Sequence, residues 1–191
     1  MPEKYAIIYL TYRLIKTCRP WAAECTPMLT AKGKYGLKAL LHLSSVPQGK
    51  AVQAIDVAET NNIPKKFLDA ILGELRNAGI VRSKKGPGGG YVLARPPDDI
   101  QIGHVIRTLD GPLAPIACAS RTAFRQCGDC NDVRTCAVRV AMTKVRDAEA
   151  EVLDRMTIAD MLRDARQAES RRPSRYLRKV TGRGAQVSGR H

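Results

Sequence analysis

Apolar side chains at Phe67, Leu68, Ile71, Leu72 and Leu75 recur at three- and four-residue steps, which lays one buried face along a helix. Pro64 opens that helix, since proline at the first helical position forfeits no bond the helix would have made. Gly79 ends it with a residue free to turn left-handed. A hairpin follows. Ile80 to Arg82 is its first strand, Gly86-Pro87-Gly88-Gly89-Gly90 its tip, and Tyr91-Val92-Leu93 its returning strand. Upstream, Ala31 to Leu43 reads as a helix with Leu37, Leu40 and Leu41 on one side and Lys32, Lys34 and Lys38 on the other. Ser44 to Lys50, holding Pro47 and Gly49, is a turn. Val52 to Thr60 is a shorter helix through Ile55 and Ala58, and Asn61-Asn62-Ile63 is the tight connection to the helix after Pro64. Helix, turn, helix and glycine-tipped hairpin together make a winged helix-turn-helix.

Downstream, Pro96-Pro97-Asp98-Asp99 breaks the chain and closes the winged unit. Ile100, Ile102, Val105, Ile106 and Leu109 mark a short helix with His104 on its surface, and Gly111 to Pro115 is a rigid loop. From Cys136 to about Met156 the pattern is helical again. Ala141, Val145, Ala148, Val152, Leu153 and Met156 form an apolar stripe between charged positions. A long amphipathic helix outside a small unit needs a partner for its stripe, and the same helix of a second subunit is the simplest one. Thr157 caps a last helix through Ile158, Met161 and Leu162.

The expected fold is therefore mainly α with a small β wing: a winged helix-turn-helix plus a long dimerisation helix. The expected units are residues 28–97 for DNA binding, 98–135 for the linker helix and cysteine loop, and 136–168 for the dimerisation and C-terminal helices. Residues 1–27, rich in basic residues around a short apolar run, read as an extension or an upstream-start artefact. Residues 169–191 carry many arginines and read as a disordered basic tail that adds phosphate affinity.

Charge gives this architecture a partner. The net charge is +14, from 32 basic and 18 acidic residues, which favours a polyanion. Aromatic residues make up 5% of the chain, too few for the stacking platforms of single-strand binders. No apolar run reaches membrane-spanning length, so a cytoplasmic protein without a membrane partner is expected. Duplex DNA suits the winged motif. Lys65, Lys66 and Asp69 lie at the start of the second helix of the motif, where Lys66 would donate to guanine and Asp69 accept from cytosine. Lys84 and Lys85 would meet phosphates, and Gly88 and Gly89 would let the wing backbone approach the minor groove. There are no paired carboxylates in a plausible cleft, no Ser-His-Asp set and no phosphate loop, so an enzyme is not expected.

Four of the six cysteines, Cys118, Cys127, Cys130 and Cys136, fall in one segment spaced C-x8-C-x2-C-x5-C. Such crowding reads as a metal site in a reducing compartment. Thiolates select iron–sulphur clusters, zinc or cuprous copper. A zinc ribbon would show two C-x2-C knuckles, and only Cys127 and Cys130 have that spacing. An irregular loop better suits a 2Fe–2S or 4Fe–4S cluster; zinc and a redox-active thiol site stay open.

The order of parts from Met28 to about Arg166 resembles the IscR/NsrR/RirA-type, or Rrf-two, family of bacterial winged-helix repressors. The resemblance runs through Leu37-Lys38-Ala39-Leu40, Ile63 to Leu68, Leu75 to Val81, Gly86 to Tyr91 and Ile102 to Ile106. It implies a homodimer with crossing long helices, a palindromic DNA operator and, in many members, an iron–sulphur cluster as sensor. It also implies ligand roles for Cys118, Cys130 and Cys136, the last two with the family's five-residue spacing. Cys127 is additional. The histidine that IscR-type members place three residues after the last cysteine is Arg139 here, so a fourth ligand falls to Cys127 or to the other subunit. Some relatives lack a cluster and answer to a partner protein or to thiol oxidation.

Overall fold

Thr30 shows how local capping and long-range tethering combine to start the fold. Its Oγ1 accepts from the backbone amides of Lys32 and Gly33, which would otherwise lack partners in the first turn of α1 (Ala31–Ser45). Asp110, eighty residues away, in turn accepts from the Thr30 amide at 2.8 Å and its hydroxyl at 2.6 Å. The structure, a computed structural model, describes residues 29–47, 49–130 and 132–171. The expectations for residues 1–27 and for most of the basic tail lie outside it.

After α1 come α2 (Ala54–Asn61) and α3 (Lys65–Asn77). Asn62 between them takes a left-handed φ of 53°, a conformation asparagine tolerates, and Ile63 N–H closes the turn on Ala58 O at 2.9 Å. Pro64 sits just outside α3, and its carbonyl accepts from the amides of both Phe67 and Leu68. The stripe of α3 is buried through Leu68, Ile71, Leu72 and Leu75. Phe67 departs from the expected buried face. It is 40% exposed and packs edge to face with Tyr35, with ring centroids 5.8 Å apart.

The wing is an antiparallel pair, β1 (Val81–Lys84) and β2 (Gly90–Leu93), in register from Val81 opposite Leu93 to Lys84 opposite Gly90. The first strand runs two residues past the expected Arg82. Val52 exchanges backbone bonds with Tyr91 at 3.0 and 2.8 Å, so it flanks the wing as a third, single-residue strand. That use of Val52 is why α2 begins at Ala54 rather than at Val52. Gly90 lies where the backbones of β2 and Val52 approach closely, and a Cβ there would run into the Val52 carbonyl.

A short 3₁₀ turn (Pro97–Asp99) leads to α4 (Ile102–Asp110), and a second one (Ala117–Ala119) precedes α5 (Ala137–Arg155) and α6 (Ile158–Ser170). One core spans all of this. Leu40, Val57, Leu68, Leu72, Ile100, Val105 and Ile158 are completely or almost completely shielded from solvent. Each such side chain stabilises the fold by roughly 1.5–3 kcal/mol relative to exposure. Ile158 carries the start of α6 into the core of the winged unit. Backbone bonds Ile102 N to Met156 O (2.9 Å) and Ile158 N to Ile100 O (3.0 Å) lock this return. By contrast, α5 leaves Val138, Val140, Val145 and Val152 exposed by 64, 48, 41 and 58% among the described residues. Of the expected stripe, Leu153 and Met156 pack on the core, while Ala141, Val145, Ala148 and Val152 stay exposed. No helix of the described residues is long and apolar enough to cross a membrane.

Candidate nucleic-acid interface and thiol group

The start of α3 stands clear of the core, because its apolar residues begin their burial only at Leu68. Lys65 and Lys66 are exposed there. Asp69 is already engaged: Lys65 Nζ lies 2.7 Å from its Oδ2, an i,i+4 pair in which both side chains keep about half their exposure. Base readout by Asp69 would therefore compete with Lys65. Lys65 one turn upstream was the sequence signal for that pairing.

Lys84 and Lys85 both stand exposed where β1 runs into the wing tip. Lys84 Nζ donates to Gly49 O at 2.7 Å, which ties the wing to the turn after α1. At the tip, Gly88 is exposed with a φ of 75°, a conformation that side chains rarely adopt. The amide of Gly89 closes the turn on Gly86 O at 2.8 Å. The α3 start and the wing thus present lysines and bare backbone from one rigid unit.

The four cysteines come together. Cys127 Sγ is 3.4 Å from Cys118 Sγ, and Cys130 Sγ is 3.9 Å from Cys136 Sγ. Cys127 and Cys130 are near neighbours, and the Asp129 carboxylate lies within 4.8 Å of both sulphurs. The sulphurs do not share one environment. Burial, with help from Cys127, pushes the Cys118 thiol up. The hydrogen bond with Cys136, followed by desolvation, pushes Cys130 up to about 11. Cys136 precedes α5 and moves the other way, because the backbone amide of Arg139 favours its thiolate. The start of a helix thus favours the thiolate form of Cys136, with Cys130 beside it. This donor set fits a thiolate-bound metal or cluster by its chemistry.

Two residues missed as participants are central to this geometry. Arg139, read from sequence as a charged position of the long helix where IscR-type members have a histidine, donates from Nε to Cys118 O at 2.9 Å, and its guanidinium lies 5.8 Å from the Phe124 ring centroid. It fastens the first cysteine to the first turn of α5. Asp129, between Cys127 and Cys130 in the chain, offers a carboxylate beside both thiols. Its place next to Cys130 was the available signal.

A family model named Rrf2 and described as an iron-dependent transcriptional regulator matches residues 29–164. An Rrf2-like HTH-type transcriptional regulator of Rhodobacter capsulatus is 41% identical over 138 residues, spanning 71% of this chain and 92% of that protein. The solved structure of CymR, the global cysteine regulator of B. subtilis, is 35% identical with a TM-score of 0.57, over 70% of this chain and 95% of that one. T. potens IscR is 31% identical with a TM-score of 0.60, over 78% of this chain and 95% of that one.

Proposed function

Because the chain belongs to the Rrf2 family of transcriptional regulators, we propose that it is a cytoplasmic, homodimeric repressor. It binds a palindromic operator, and its grip on DNA is tuned by an iron–sulphur cluster on the cysteine loop. Residues 28–97 form the DNA-binding unit, 98–135 the linker and thiol loop, and 136–168 the dimerisation region. Lys66 and, once released from Lys65, Asp69 read base edges in the major groove. Lys65, Lys84 and Lys85 meet phosphates, and Gly88 and Gly89 bring the wing backbone to the minor groove.

The observation that carries the tuning is the bond between Arg139 Nε and Cys118 O. It joins the thiol group to the helix whose exposed valines await a second subunit. Cys118, Cys127, Cys130 and Cys136 would hold the cluster, which supplies oxidant- and ligand-sensitive iron chemistry when bound. Cys136 enters α5 directly, so a change at the sulphurs bears on the angle of α5 against the core. In a dimer that angle sets the separation of two α3 helices, and both half-sites must be met together, about one turn apart. A coupling of about 1–3 kcal/mol changes DNA affinity roughly 5- to 150-fold.

The test is an anaerobic gel shift on promoter DNA with cluster-loaded and cluster-free protein. A several-fold difference is expected; equal affinity would remove the sensing role and leave DNA binding standing.

A second reading has its own support. Four sulphurs about 2.3 Å from a single zinc ion lie roughly 3.8 Å apart in a tetrahedron. The 3.4 and 3.9 Å pairs bracket that spacing. The same closeness suits reversible thiol oxidation without metal. Visible absorption of anaerobically isolated protein separates the readings, since zinc and free thiols are colourless.

A further inference from the structure

Ala31, Lys34, Tyr35 and Lys38 recur at the three- and four-residue steps that make one face of α1, and none of them is buried. Lys32, three residues before Tyr35, lies at the edge of that face. Gly36, Leu37 and Leu40 bury the other side of the helix.

This polar face abuts both helices of the helix-turn-helix pair. The Tyr35 ring meets the Phe67 ring edge to face, and Phe67 directly follows Lys66 on α3. Lys32 Nζ lies 2.7 Å from Glu74 Oε2, further along α3. Lys38 Nζ donates to Asn61 O at 3.4 Å, at the end of α2. The face of α1 therefore continues the surface from which Lys66 projects. Two of its donors, the Lys34 ammonium and the Tyr35 hydroxyl, have no bonded partner among the described residues. The nearby acids are already engaged. Glu74 pairs with Lys32, and Asp110 is taken by Thr30 and Gly33 at the helix start. Positive charge is thus left over around an aromatic hydroxyl.

We propose that this face of α1 is a further contact with the DNA backbone, in which Tyr35 and Lys34 donate to phosphates flanking the major groove that α3 enters. The proposal rests on the DNA-binding reading and extends it to a helix outside the helix-turn-helix pair. Lysine and tyrosine side chains both serve as phosphate donors, and such contacts set register rather than sequence. Phe67 holds the tyrosine ring, so the hydroxyl stands on the same rigid unit as Lys66.

The experiment is fluorescence anisotropy of the full chain over a sodium chloride series. Two labelled duplexes are compared, promoter DNA and an unrelated mixed sequence. Tyr35→Phe removes one neutral hydrogen bond, so it weakens both about two- to tenfold. It keeps every charge, so the slope of log affinity against log salt does not change. Lys34→Gln weakens both duplexes and reduces that slope by about 1. Unchanged affinity in Tyr35→Phe overturns the proposal. So does a loss confined to promoter DNA, which would make Tyr35 a reader of bases. Should Tyr35→Phe fail to fold, unchanged affinity and slope in Lys34→Gln, an exposed residue, overturn it instead. Wild-type protein that binds neither duplex overturns the DNA-binding reading itself, and this contact with it.

Discussion

Arg107 holds both carboxylate oxygens of Asp154, at 2.6 and 2.8 Å, and so fastens α4 to the last turn of α5. The hydrogen bonds from Arg107 keep Asp154 below the usual carboxylate range, and the same contact raises Arg107. Both side chains are more than a third exposed, so solvent screens the pair. Asp154→Asn is therefore expected to cost about 0.5–1 kcal/mol in urea melts at pH 7. The pH dependence has a definite sign. A carboxylate with a lowered folded pKa contributes stability that is full above its unfolded value near 3.8 and lost as pH falls through the folded value. The gap between wild type and Asp154→Asn should narrow on acidification below that point.

The lysines of α3 and the wing should separate by the kind of binding they lose. Lys66→Ala is expected to cost about 1–3 kcal/mol on the operator and much less on unrelated duplex. Lys85→Ala should weaken both targets alike and reduce the slope of log affinity against log salt by about 1. Fluorescence anisotropy over a salt series measures both. A uniform effect of Lys66→Ala would refute its reading role.

Cys127 is the thiol that the family pattern does not supply, yet it lies 3.4 Å from Cys118. Cys127→Ser should lower metal affinity at least as much as the 10–100-fold that even an outer partner of a metal ligand commands. Asp129→Asn, beside the same sulphurs, should leave the metal content unchanged if the four thiols suffice. Metal analysis of anaerobically isolated variants checks both outcomes.

Val152 is 58% exposed on α5. Val152→Asp should leave the fold intact, because more than half of the side chain already faces solvent, but it puts an unpaired charge where a second subunit would cover it. Sedimentation should show the dimer dissociation constant rising about tenfold or more. An unchanged dimer would place the subunit interface elsewhere.

The parts most legible in the sequence were those whose cause is local. The stripe of α3, the tight Asn61-Asn62-Ile63 connection and the glycine-tipped wing follow from residues within a few positions of one another. The grouping of the four cysteines was legible for the same reason. What escaped was long-range pairing. Nothing near Thr30 announces Asp110, and nothing near Val52 announces Tyr91. Arg107 and Asp154 were ordinary charged positions until α4 and α5 met. Phe67 shows the opposite error: a helical period marks a face, but its edge is set by neighbours the period does not name.

The long helix is held by bearings at both ends. Arg139 fixes its first turn to Cys118, and the Met156–Ile102 bond fixes the residue after its last. Because Arg146 is buried and Asp154 is held by Arg107, loosening the thiol bearing alone would free only the part of α5 before Arg146 as a cantilever. From Ala137 to Arg146, at about 1.5 Å per residue, a swing of about 5° carries the free tip about 1.2 Å, roughly a fifth of a helical pitch.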